Sequence, residues 1–287
     1  MTMQEIRPTV LVLTALPLEY AAVRAHVDER EELVHRDGTR VEKGRLPGTP
    51  WYVALAELGM GAERAAALTT QLINWLGPEA VFFVGVAGSL KDDVEIGDVV
   101  VGTKVYEIHG GKQTPEGFQV RPESLPGSHA LVQAARSAVR DMPDVRAHLL
   151  PIATGDVVLA DATSEIARFI RRNYNDAGAI EMEGSGAAHA AHLNGQLNAL
   201  VIRGISDRAD AGKHEADASG SQKRAAEQAA AVTVAVLHKH RPREGSSDSE
   251  ERPHRHGDGG ATYAGDHIDF RGGTFHGPVT GKSDGRR

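Results

Sequence analysis

Short apolar runs, each stopped by glycine, proline or a small polar residue and followed by an amphipathic or alanine-rich stretch, limit most strongly how this chain can fold. Thr9 to Thr14, Trp51 to Leu58 and Ala80 to Val86 read as buried strands. Val99 to Tyr106, a segment within Leu149 to Leu159, Gly178 to Glu183 and Leu197 to Ser206 read the same way. Helices are expected from Pro17, which suits a first helical turn, and from Gly61 to about Leu76. Others are expected over His129 to Arg140, after a Thr163 or Ser164 cap, after Glu183, and over Ser221 to Leu237. Strands separated by helices imply a mainly parallel sheet covered on both faces. Gly85-Val86-Ala87-Gly88 reads as the turn that closes the third strand, and residues 107–128, rich in glycine, proline and polar groups, as a long loop.

Composition narrows the function classes. The 287 residues are 40% hydrophobic and 25% charged, enough to bury a core. A net charge of −7 argues against a protein built to coat nucleic acid. The absence of cysteine excludes disulfides, thiolate metal sites and a cysteine nucleophile. No apolar run reaches the roughly 20 residues that span a bilayer. Met1 to Pro8 has no apolar core of a signal peptide. A cytoplasmic protein with no nucleic-acid or membrane partner is therefore expected.

In open α/β sheets the ligand crevice lies beyond the carboxyl ends of the strands. Glu19 follows the first strand, Ala87-Gly88-Ser89 the third, and Thr154-Gly155-Asp156 a later one. Glu181-Met182-Glu183 and Ser206-Asp207 follow two more. Glu19, Glu183 and Asp207 should thus converge on one edge. Each has a plainer reading: a helix-dipole partner for Glu19, a helix-terminal carboxylate for Glu183, a turn residue for Asp207. Other motifs are incomplete. Gly59-Met60-Gly61-Ala62-Glu63-Arg64 lacks the third glycine of a dinucleotide fingerprint, and Gly277 to Ser283 is one residue short of a P-loop. Asp210, His214, Glu215 and Asp217 read as a polar loop, and His238, His240, His254 and His256 as a solvated basic run. No metal or cofactor is expected.

Thr14-Ala15-Leu16-Pro17-Leu18-Glu19, Gly85-Val86-Ala87-Gly88, Thr154-Gly155-Asp156, Glu181-Met182-Glu183-Gly184 and Ile205-Ser206-Asp207 together resemble the nucleoside phosphorylase superfamily. Within it they look most like the 5'-methylthioadenosine/S-adenosylhomocysteine nucleosidases, from about residue 9 to 237. The resemblance implies a three-layer α/β fold with a mixed, mostly parallel central sheet flanked by helices. It also implies hydrolysis of a purine N-glycosidic bond. By that resemblance Asp207 is the acid at purine N7, oriented by Ser206. Glu183 holds the ribose hydroxyls with Met182 packed on the sugar, and Glu19 activates water. The backbones of Ala87 and Gly88 lie near base and ribose, and those of Val158 and Leu159 pair with the purine edge. Where such nucleosidases carry an aromatic residue on the purine, this chain has Val157-Val158-Leu159.

Two substrate readings are carried, with an adenine nucleotide expected rather than methylthioadenosine. A methylthio group wants an apolar pocket, whereas Lys104, His109, Lys112 and Arg121 would suit the 5'-phosphate of an adenine nucleotide. Phosphate as nucleophile, as in a purine nucleoside phosphorylase, is the alternative to water. The absence of Arg or Lys from 85–89 argues against it. A non-catalytic nucleotide sensor is the alternative from another class. The domains expected are a catalytic unit over 1–240, a flexible linker over 241–260 and a short Gly-rich, β-prone tail over 261–287, read first as a weakly ordered tail and alternatively as an element that docks another copy or a protein partner through its strand edges. A homodimer is implied by resemblance.

Overall fold

The first strand sets the layering. In the computed structural model, which describes residues 8–210, 212 and 219–242, β1 (Thr9–Thr14) is buried along its whole length. It is followed by α1 (Pro17–Arg24), β2 (Asp28–Val34), β3 (Arg40–Arg45), β4 (Tyr52–Glu57) and α2 (Ala62–Leu76). Next come β5 (Ala80–Ser89), β6 (Val99–Glu107), β7 (Gly111–Thr114), β8 (Gly117–Val120) and β9 (Glu123–Pro126). The chain continues through α3 (His129–Arg140), β10 (Ala147–Thr154), α4 (Glu165–Asn173), β11 (Ala179–Glu181), α5 (Gly184–Leu193), β12 (Asn198–Asp207) and α6 (Ser221–Lys239).

Side chains alternate across a strand, so Val10 and Val12 enter one core and Leu11 and Leu13 the other. The first core is closed by α1, α3 and α6, the second by α2 and α5. This is the three-layer architecture that the resemblance implied. α2 is bracketed by backbone only glycine adopts readily: Gly61 (φ 106°) before it and Gly77 in the left-handed region after it.

The sheet is mixed. β4, β1, β5 and β12 run parallel to one another. β6, β10 and β11 form a second parallel set. The two sets meet antiparallel at β12–β6 and again at β11–β5. Because β11 pairs with both β10 and β5, the strands β5, β12, β6, β10 and β11 close into a ring. β3 and β2 extend the opposite edge antiparallel.

Three expectations need correction. β5 does not stop at the glycine-containing turn but runs through it to Ser89, held by β12 on one side and β11 on the other. Residues 107–128 are not a loop: β7 and β8 form a hairpin, and β9 pairs with β6. Their short, exposed, polar strands carry no apolar alternation to betray them. β2 and β3 went unread for the same reason, since β2 is a charged edge strand. The linker from residue 243, the tail 261–287 with its P-loop-like 277–283, and His214, Glu215, Asp217, His254 and His256 lie outside the described residues. Among the described residues, no helix is long and apolar enough to cross a membrane.

α6 lies so close to β12 that a Cβ on Gly204 would collide with the backbone of Ala225. Gly204→Ala should therefore cost roughly 1–3 kcal/mol, read as a lower urea midpoint with an unchanged slope.

Candidate functional site

Strand irregularity aims the first site residues. β12 pairs in register with β5 up to Ile205–Ala87, then resumes at Asp207–Gly88, leaving Ser206 as an extra residue. Such a bulge redirects the side chains around it. Asp207 is buried and held from two sides: its Oδ2 accepts from Ser206 Oγ (2.9 Å) and its Oδ1 from Ala209 N (2.8 Å). Ser206 Oγ also lies 3.3 Å from Ala87 O. A Cβ on Gly88 would stand 2.8 Å from Asp207 Oδ1, so glycine is what lets β5 pass this carboxylate.

Glu19 is fixed by backbone alone. Its Oε2 accepts from Ala15 N (2.8 Å) and Leu16 N (2.9 Å), and its Oε1 from Val86 N (2.8 Å). The side chain thus caps α1 and ties it to β5. Burial pushes its pKa up, while Arg203 and the three N–H groups pull it down without cancelling the rise.

Arg203, from the middle of β12, is fully buried. Its Nη2 binds Glu181 Oε2 and lies 3.4 Å from Glu183 Oε2. Nε and Nη1 have no hydrogen-bond partner among the described residues. A Cβ at Gly85 would collide with both Arg203 Nη1 and Glu19 Oε1, so glycine here makes the space that the cation and the first carboxylate fill together. The guanidinium also stacks 4.7 Å over the Phe83 ring. Glu183 stands at the N-cap position of α5 without a side-chain capping bond, accepts from Gly61 N (3.2 Å) through Oε1, and faces Glu181 and Glu19. Burial first, and the two neighbouring carboxylates after it, raise its pKa to about 7 against the pull of Arg203.

These groups surround one cavity of about 340 Å³, within the size range of small-molecule pockets. Glu19, Ala87, Gly88, Val158, Leu159, Met182, Glu183, Ser206 and Asp207, all singled out in the sequence, line it together. Leu16, Met60 and Val157 add apolar wall, and Gln222 a neutral polar one. Met60, Val157 and Val158 are exposed and form part of the rim.

The cations offered for a 5'-phosphate do not line the cavity. Lys104 instead pairs with Asp176 (3.0 Å) and sits over the Tyr106 ring. His109 Nε2 accepts from Asp156 N (2.9 Å). Lys112 and Arg121 are exposed on the β7–β8 hairpin and just after it. Asp156 is exposed and outside the cavity as well. Conversely, sequence reasoning passed over Arg203 and gave Glu181 no role. Arg203 is a lone charge inside an apolar strand, and that was the available signal: a buried cation demands carboxylates around it. Glu107, Glu123 and His189 could place ligand atoms within 4.8 Å of one another, but none of them lines this cavity.

The family model of the phosphorylase superfamily matches residues 9–238. The chain belongs to this superfamily. Among solved structures of similar fold is a 5'-methylthioadenosine/S-adenosylhomocysteine nucleosidase from S. pneumoniae in complex with a transition-state inhibitor. It is 25% identical with a TM-score of 0.71, and the match covers 80% of this chain and 99% of that one. The Colwellia psychrerythraea nucleosidase of the same name, in complex with adenine, has 24% identity and a TM-score of 0.71, over 81% of this chain and 96% of that one. Futalosine hydrolase of Helicobacter pylori has 23% identity and a TM-score of 0.69, over 80% and 97%. The fold is thus shared with proteins named as hydrolases of different substrates.

Two predictions come from the charge cluster. Arg203→Met leaves buried carboxylates uncompensated and should cost about 3–5 kcal/mol in chemical denaturation. Glu183 has a folded pKa near 7 against an ordinary 4.5. Its protonated form therefore stabilises the fold fully below about pH 4.5, and that contribution is lost as the pH rises through 7. The stability of the wild type relative to Glu183→Gln should accordingly fall by roughly 2–3 kcal/mol between pH 5 and 8, measured as paired denaturation curves.

Proposed function

We propose that this protein hydrolyses the N-glycosidic bond of an adenine nucleoside with an uncharged 5' substituent, such as methylthioadenosine or adenosylhomocysteine, and releases free adenine. The observation that carries this reading is the gathering of Glu19, Glu183 and Asp207 around one nucleoside-sized cavity. The similar structures named for methylthioadenosine/adenosylhomocysteine nucleosidase support it.

The roles follow from how charge moves as the bond breaks. The departing purine gains electron density and the ribose loses it. Asp207 donates a proton or hydrogen bond to N7, which makes the base a better leaving group. Ser206 and Ala209 N hold the carboxyl in place. Glu183 binds the ribose hydroxyls and, when ionised, stabilises the oxocarbenium-like sugar. Met182 packs against the sugar. Glu19 holds the attacking water and takes its proton, and the unpartnered Arg203 Nη1 beside it is a second hydrogen-bond donor for that water. Ala87 and Gly88 let the ring system approach the backbone. Val158 and Leu159 offer main-chain groups to the purine edge. Among the described residues, no aromatic side chain lines the cavity, so the base is gripped by edge contacts and aliphatic wall rather than by stacking.

Water is favoured over phosphate as nucleophile. Among the described residues no Lys or Arg lines the cavity, and the buried Arg203 beside Glu19 is already claimed by Glu181 and Glu183. Glu19 would repel a phosphate placed beside it. The same argument turns the substrate away from nucleotides, because Leu16, Met60, Val157, Val158 and Gln222 offer a 5'-phosphate no positive charge.

Chromatography of products from methylthioadenosine, adenosylhomocysteine, adenosine, inosine, AMP and ATP tests the reading. Adenine should appear from the first two and not from AMP or ATP. Adding phosphate should produce no sugar phosphate. Asp207→Asn should lower adenine release by at least about 100-fold while ligand affinity, by calorimetry, stays within about tenfold. A protein that binds these ligands but releases no base as wild type would be a sensor, and the proposal would fail.

A further inference from the structure

Glu181 lies at the end of β11, two residues before the carboxylate assigned to the ribose. It is buried and accepts four donors from three directions. Arg203 Nη2 reaches it from β12, and Thr154 Oγ1 from the end of β10. Glu183 N (3.1 Å) and Gly184 N (2.8 Å to the nearer oxygen) reach it from the first turn of α5. Thr154 Oγ1 in turn accepts from Ser185 N (3.1 Å). A Cβ on Gly184 would stand 2.8 Å from Glu181 Oε1, so the turn is built tight around this carboxylate.

Glu181 borders the cavity, but with its acceptor sites filled in this way it has little left to offer a substrate. What it does control is geometry and charge. Its grip on Nη2 sets where the rest of the guanidinium points, which is toward Glu19 and Gly85. Its bonds to Glu183 N and Gly184 N set the backbone from which the Glu183 side chain enters the cavity. We infer that Glu181 is a positioning residue: it orients Arg203 toward the water site and Glu183 toward the ribose site from a single buried carboxylate. The inference rests on the hydrolytic reading above.

The pH dependence of the reaction carries a signature of this role. The groups facing Glu183 are Glu181 from β11, Glu19 from α1 and Arg203 from β12. Just before α2 it accepts from Gly61 N. On α2, Arg64 folds over Gly59, and Glu63 is exposed. Asp207 is bonded to Ser206 and Ala209 on the other wall. Removing the charge of Glu181 takes away one carboxylate that opposes ionisation of Glu183 and frees Arg203 to move toward it. Both changes favour the Glu183 anion.

The test compares adenine release, thermal stability and pH profiles for the wild type, Glu181→Gln and Glu181→Asp. Absence of release by the wild type would reject the hydrolytic reading itself. With the wild type active, Glu181→Gln should lower kcat by about 10- to 100-fold with KM within about threefold. It should also move the acid limb of kcat/KM to lower pH by half a unit or more. Glu181→Asp keeps the charge and shortens the reach, so it should leave the acid limb in place while kcat stays at least about tenfold down. A lowered melting temperature with an unmoved acid limb in Glu181→Gln would make the residue merely structural and overturn the inference. So would a Glu181→Asp enzyme with kcat within about threefold of the wild type. If Glu181→Gln does not fold, the Asp variant decides alone.

Discussion

Arg203 is taken wholly out of water, and a guanidinium so placed costs several kcal/mol unless carboxylates and hydrogen bonds meet it. Here Glu181 bonds it directly, Glu183 approaches at 3.4 Å, and Glu19 stands beside it at Gly85. Each carboxylate arrives from a different element, so the ion cluster joins α1, β11, the start of α5 and β12. The cluster carries more negative than positive charge. Burial, with the neighbouring Glu181 and Glu19 after it, raises the pKa of Glu183 to about 7, whereas burial alone raises that of Glu19.

The sheet must close for this to happen. In a simple parallel sheet, residues after β1, β5 and β12 share an edge, which places Glu19, Gly88 and Asp207 together. Glu183 does not belong to that set. It comes from β11, which runs antiparallel to β5 and pairs Ile180 with Gly88. The ring of strands folds β11 back across the end of β5, so its chain delivers Glu181 and Glu183 opposite Glu19. The bulge at Ser206 then turns Asp207 toward the same space.

Much of this was legible in the sequence where hydrophobic patterning was strong. The continuous apolar runs of β1, β5, β6 and β12 stand out because both faces are buried. The Pro17 start and Ser164 cap of α1 and α4 stand out because helix ends need particular residues. The exposed strands β2, β7 and β8 left no comparable mark, since their pairing is backbone hydrogen bonding with little burial. Among site residues, those beyond strand ends could be found from topology. Arg203 is legible only in part: a lone charge inside an apolar strand signals that carboxylates must meet it, but not which ones. The distance from Lys104, His109, Lys112 and Arg121 to the cavity was hidden for a related reason: the hairpin and β9 that carry the chain past it were read as a loop.

The arrangement of charge also bears on which half of glycosidic cleavage the protein helps most. A leaving purine needs one donor, and Asp207 sits with Ser206 on the wall formed by β12 and β5. On the proposed reading, a developing cation on the ribose is served by the opposite wall, where Glu19, Glu181 and Glu183 line the cavity and the buried Arg203 does not. In a buried site such charge acts at lower effective dielectric than in water, so a net negative wall favours the oxocarbenium-like sugar over the neutral substrate. The same wall repels an anionic nucleophile while leaving Glu19 and the free face of Arg203 to hold a neutral one. On the proposed reading, stabilisation of the sugar and selection of water over phosphate are one electrostatic property, produced by burying a single arginine among more acids than it can neutralise.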